Sequence, residues 1–129
     1  MRLTRYAAAS DFLRRTRDSL EENEAANNLI IGIAARIAEN PGFYKYPVYL
    51  ATVDEGPALS AAAVRTPPFN VIAHRREGTG EEPLRLLLND LLDFAAAQPA
   101  GSPAGRLRGV TAHSATALAF ARLWSDRTG

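Results

Sequence analysis

The chain has 129 residues, 47% of them hydrophobic, which suffices for one buried core and leaves no room within these residues for a second full catalytic domain. Fifteen Lys and Arg stand against fourteen Asp and Glu, a net charge of +1 that lacks the strong positive field nucleic-acid binding needs. Cysteine is absent, which excludes thiol nucleophiles, cysteine zinc sites and disulfides.

In chain order, MRLTRYA alternates weakly and reads as a short first strand. Ser10 or Asp11 can cap the helix that follows, on which Phe12, Leu13, Thr16 and Leu20 share one face. A second apolar stripe runs through Leu29, Ile30, Ile33, Ala34 and Ile37 and ends at Asn40-Pro41-Gly42. The polar stretch between them, Glu22 to Asn28, reads either as a bend or as the surface of one continuous helix. No segment approaches the ~20 apolar residues of a membrane span, and the start carries no continuous apolar signal region, so a cytoplasmic protein is expected.

From Tyr46 the period changes to that of a strand. PVYLATV, the turn cluster Asp54-Glu55-Gly56-Pro57 and ALSAAAVR read as a β-hairpin. Pro67 and Pro68 cannot donate to a ladder, which predicts an edge or a bulge there, with FNVIAH as a further strand or the same strand after a kink. Leu84, Leu87, Leu88, Leu91, Leu92 and Ala95 recur at helical spacing, with Pro83 expected at the first helical position. A turn-rich connection, a short strand in RLRGVTA and a last helix capped by Ser114 or Thr116 complete the string. The result is one α/β or α+β domain over residues 1–129, a mixed sheet flanked by helices.

Between the last hairpin-side strand and the leucine-striped helix lies RREGTG, Arg75 to Gly80. Glycines permit close backbone approach, a helix N-terminus carries partial positive charge, and Arg75 and Arg76 add full charges, all of which suit a phosphate. Glu77, Glu81, Glu82 and Pro83 oppose it, so the stretch either binds an anion or turns a corner. His74 and His113 each end a strand, where a histidine serves proton transfer or simply meets solvent. Without matched carboxylate spacing they form no metal site, and none is expected. Tyr44, Tyr46 and Tyr49 around Lys45 line a groove or pack where a strand begins. Leu118, Phe120, Leu123 and Trp124 mark a docking face on the last helix, toward the chain's own sheet or toward another domain.

The order strand, helix, helix, strand, strand, strand, helix, strand, helix, with an Arg-x-x-Gly-x-Gly loop before the central helix, resembles the GNAT superfamily of N-acetyltransferases over nearly the whole chain. ENEAANNLIIGIA, YLATV and AAAVRTPPFNVI, with VTAHSATALAFARLW near the end, are similar to the amino-terminal domain of a group of bacterial predicted acetyltransferases. The resemblance implies an acyltransferase in which an amine attacks the thioester of acetyl-CoA directly. By the same resemblance Arg75, Arg76, Gly78, Thr79 and Gly80 cradle the coenzyme's pyrophosphate, while Glu24, Asn27 and Asn28 face a small-molecule amine acceptor. The family's acid, a tyrosine on the last helix, aligns with Ala121, and Glu22, Glu24, Asp54, Glu55 or water remain open as base. The resemblance therefore implies a unit that is incomplete or degenerate for catalysis alone, lacking closing strands. Its open edge would be completed by a homodimer or by a carboxyl-terminal catalytic GNAT domain; the alternative is a non-catalytic domain that docks on a partner.

Overall fold

The structure, a computed structural model, describes residues 1–20 and 25–129. Among them are β1 (Arg2–Arg5), α1 (Ala9–Leu20), α2 (Ala25–Glu39), β2 (Tyr49–Glu55), β3 (Ala58–Arg65), β4 (Val71–Arg75), α3 (Glu82–Ala96), β5 (Val110–Thr111) and α4 (Ser114–Thr128), with a 3-10 turn at Pro103–Gly105. The strands lie in the order β1-β2-β3-β4-β5; all neighbours are antiparallel except β4 and β5, which run parallel. The chain is thus α+β with a mixed sheet. Among the described residues no helix is long and apolar enough to cross a membrane.

Strand alternation divides the core in two. Tyr49, Ala51, Val53, Ala61, Ala63 and Val71 face α3 and α4, where Leu84, Leu87, Leu88, Leu91, Phe120 and Leu123 meet them. Leu50, Ala62, Val64 and Ile72 face α1 and α2, against Phe12, Leu20, Ile30, Ala34 and Ile37. Both faces of β2 and β3 are therefore covered, which is why these strands read as nearly unbroken apolar runs.

Several expectations shift in detail. Helix α1 begins at Ala9, and the carbonyl of Ala8 accepts from the Phe12 amide, so Ser10 and Asp11 lie inside the first turn and neither caps it. On α2 the buried stripe is Ala26, Asn27, Ile30, Ala34 and Ile37; Leu29 faces solvent at 48% exposure because it sits at the margin of the face centred on Ile30 and Ala34. The hairpin of β2 and β3 forms as expected, but its bulge falls at Val53/Asp54, with Ser60 the extra residue, and not at the prolines. Pro67 and Pro68 instead make the turn that ends β3, closed by the Phe69 amide on the Thr66 carbonyl, so β4 is a separate strand. The α4 N-cap is His113; Ser114 is the first helical residue and Thr116 lies within the first turn. Phe120 and Leu123 pack on the chain's own sheet with Trp124 partly buried beside them, whereas Leu118 is 73% exposed.

Two polar anchors tie these layers together. Arg65, 2% exposed at the end of β3, donates to the carbonyls of Phe69, Pro103, Ala104 and Arg106. Burial lowers its pKa from the ordinary arginine value, and its hydrogen-bond partners are carbonyls. On the other edge Asp90 of α3 accepts from Arg5 of β1 at 2.8 and 3.2 Å and from the Tyr49 hydroxyl at 2.6 Å. The Arg5 guanidinium also lies 5.0 Å from the centre of the Phe94 ring.

Arg65→Met should lower stability in urea unfolding by about 3 kcal/mol, since it strands carbonyls that share one buried charged donor. Burial and the bond to Asp90 raise the Tyr49 pKa far above its ordinary 10.0. A raised folded-state value contributes stability that is complete below the unfolded value and is lost as the pH rises beyond it. Wild-type stability should accordingly fall above about pH 10, and Tyr49→Phe should flatten that fall.

Candidate functional site

Parallel pairing of β4 with β5 covers only Val71 with Val110 and Ile72 with Thr111. Beyond it, Ala73, His74 and Arg75 on one side and His113, Ala115 and Thr116 on the other line a cleft of about 560 Å³. The loop residues Arg76, Glu77, Gly78 and Thr79 and Asn27 of α2 line it as well.

The loop is a four-residue turn. The Thr79 amide and hydroxyl both donate to the Arg76 carbonyl, at 3.2 and 2.7 Å, and Gly78 takes the left-handed φ of +85° that this turn requires. The Arg76 amide is held by the carbonyl of the bulge residue Ser60 at 2.8 Å. The amides of Glu77 and Gly78 have no backbone partner among the described residues and belong to residues that line the cleft. Consecutive unpaired amides around a left-handed glycine form the kind of concavity that receives anions.

A second set of amides comes from α4. Its N-cap His113 makes no side-chain cap, and the first intrahelical bond is the Ala117 amide on the His113 carbonyl at 2.9 Å. The amides of Ser114, Ala115 and Thr116 thus have no intrahelical acceptor, at the positive end of a 15-residue helix. Asn27 supplies the complementary feature. It is 3% exposed, and its Oδ1 is buried with no hydrogen-bond partner among the described residues, an acceptor that a donor from a bound molecule would satisfy. Among the described residues the charged lining is two guanidiniums, Arg75 and Arg76, against one carboxylate, Glu77.

Of the residues singled out from sequence, Arg75, Arg76, Gly78, Thr79, Asn27, His74 and His113 come together here. Gly80 does not line the cleft; its carbonyl accepts from Arg75 at 3.4 Å. Asn28 is exposed, one residue round α2 from Asn27, and does not line the cleft. Glu22 and Glu24 lie outside the described residues. Asp54 pairs with Arg15 of α1, and Glu55 is exposed at the end of β2. Tyr49 is committed to Asp90 and Tyr44 to Arg36, so the tyrosines line no common groove with this cleft. Glu81 and Glu82, which would oppose an anion, are paired with Arg122 and Arg85 and are absent from the lining. Sequence reasoning missed Ala115 and Thr116. Only the chain order β5 then α4 signalled them, because any helix following a parallel strand presents its N-terminus at that strand's carboxyl end.

Among the described residues no group of three His, Cys, Asp or Glu could hold a metal ion. No family model, curated protein or solved structure matches the chain.

The two loop glycines differ in what they demand. Gly78→Ala should cost about 1 kcal/mol in thermal or urea unfolding, because its left-handed φ is unfavourable for any residue with a Cβ. Gly80 has an ordinary φ and open space where a Cβ would stand, so Gly80→Ala should stay within about 0.5 kcal/mol of wild type.

Proposed function

We propose that this chain is a component of a GNAT-family N-acetyltransferase and that its cleft receives acetyl-CoA. The observation that carries the reading is that two sets of residues with unpaired amides, Glu77 and Gly78 in the loop after β4 and Ala115 and Thr116 at the start of α4, line one cleft between parallel strands. Arg75 and Arg76 would meet the pyrophosphate together with the Glu77 and Gly78 amides. The first turn of α4, whose Ala115 and Thr116 line the same cleft, suits a further anionic or carbonyl oxygen. Asn27 Oδ1 accepts an N–H from the bound molecules. Acetyl-CoA supplies the activated acyl group, and the residues of this chain orient it and exclude water from its arm.

Proton transfer is the part for which the lining is sparse. Ala121, in the place of the family's tyrosine, carries no proton and is exposed on α4. Among the described lining residues His74, His113 and Glu77 carry side chains of the kinds that serve as general acids or bases. A second reading, a docking domain without chemistry, is favoured by the exposure of Leu118 on α4, the helix that follows the edge strand β5.

Ala115→Asp separates these readings. A carboxylate in the first turn favours the helix dipole, so stability should hold or rise slightly, while the same charge repels an anion in the cleft. Thermal unfolding with millimolar acetyl-CoA should shift wild type upward by several degrees, as a ligand at about 100 times its Kd adds ~2.7 kcal/mol, and leave Ala115→Asp unmoved. Absence of any shift in a well-folded wild type would favour the docking domain.

A further inference from the structure

We propose that Arg122 is a positioning residue for the anion end of the cleft: it holds the Glu81 carboxylate away from the loop at residues 75–79. The proposal rests on the coenzyme reading above and extends it to a residue that does not line the cleft.

Glu81 stands two residues after Thr79 and is the N-cap residue of α3, with φ −86° and ψ −13° and no hydrogen bond from its side chain to its own helix. Two first-turn amides of that helix, Glu82 and Leu84, have no intrahelical acceptor, since Pro83 has none to offer and the ladder begins with the Arg85 amide on the Glu81 carbonyl. A carboxylate at this position is ordinarily attracted to such amides and to the positive end of the helix. Here it is drawn off by the guanidinium of Arg122, which projects from α4.

The neighbouring Glu82 is occupied in a similar way, with its carboxylate 2.6 Å from Arg85. Of the three glutamates around the loop, only Glu77 lines the cleft, and the described lining keeps its excess of positive charge. Loss of Arg122 frees a negative charge at the edge of the loop, where it repels a phosphate directly. Both side chains are partly exposed, so the effect is screened by salt and is largest at low ionic strength.

The test is calorimetric titration of acetyl-CoA, and separately of inorganic pyrophosphate, into wild type, Arg122→Gln, Glu81→Gln and the double variant, at low and at physiological salt. Arg122→Gln is expected to bind both probes about tenfold more weakly at low salt, with a smaller loss at physiological salt. Glu81→Gln and the double variant are expected to bind within about twofold of wild type, because the repelling charge is gone. Melting temperatures taken in parallel confirm that all four proteins are folded. Rescue in the double variant is the result that a merely structural Arg122 would not produce. Equal binding by wild type and Arg122→Gln overturns the proposal, as does a double variant as weak as Arg122→Gln, which would mean that Arg122 acts on the ligand by its own charge. A folded wild type that binds neither probe overturns the coenzyme reading and this role with it.

Discussion

The guanidinium of Arg65 joins two parts of the chain that hydrophobic burial alone would leave unaligned. Its planar fork reaches the carbonyl before β4 and three carbonyls before β5, a set that one compact ammonium could not span. The connection from α3 to β5 is largely irregular, and its backbone acceptors need donors wherever it leaves water. By gathering them on one buried side chain, Arg65 brings Val110 and Thr111 alongside the start of β4. The position of β5 follows from that anchor, and the position of the cleft follows from β5.

Pairing between β4 and β5 stops after two residues, and each strand then leads into its own connection to a helix. Parallel strands place both carboxyl ends, and hence the approaches to both following helices, on the same side. The cleft is the space that opens there. Its polarity is in part a backbone property: Glu77, Gly78, Ala115 and Thr116, whose amides have no backbone partner among the described residues, all line it. Arg75 and Arg76 reinforce that polarity, Glu77 offsets part of it, and ion pairs elsewhere retain Glu81 and Glu82. The bulge at Ser60 contributes indirectly, because its carbonyl fixes the amide from which the loop departs.

Much of the fold was legible where one periodicity dominated. The leucines of α3 and the alternation of β2 and β3 identify their elements and their buried faces, since nothing in those segments competes with the apolar pattern. Helix ends were less legible: Ala8 and His113 occupy N-cap positions that better capping residues nearby do not take, because the packing of α1 and α4 sets where each helix begins. Leu29 shows the same limit for burial, being apolar yet turned outward. In the site, the Arg-x-x-Gly-x-Gly stretch contains five of the residues that line the cleft, and Asn27 stands out as a polar residue in an apolar stripe. Arg122 carries no local signal, since its relation to Glu81 exists only when α3 and α4 lie side by side.

By itself, then, the sequence determined the types of most elements, the hairpin, the apolar face of α3 and the glycine-rich turn before it, because each depends on interactions within a few residues along the chain. The tertiary structure decided that β5 pairs with β4 for only two residues, that the start of α4 opens onto the loop, that Asn27 Oδ1 is buried without a partner among the described residues, and which arginines hold which glutamates. Those outcomes depend on distances between segments remote in sequence, which local propensity and hydrophobic period do not encode.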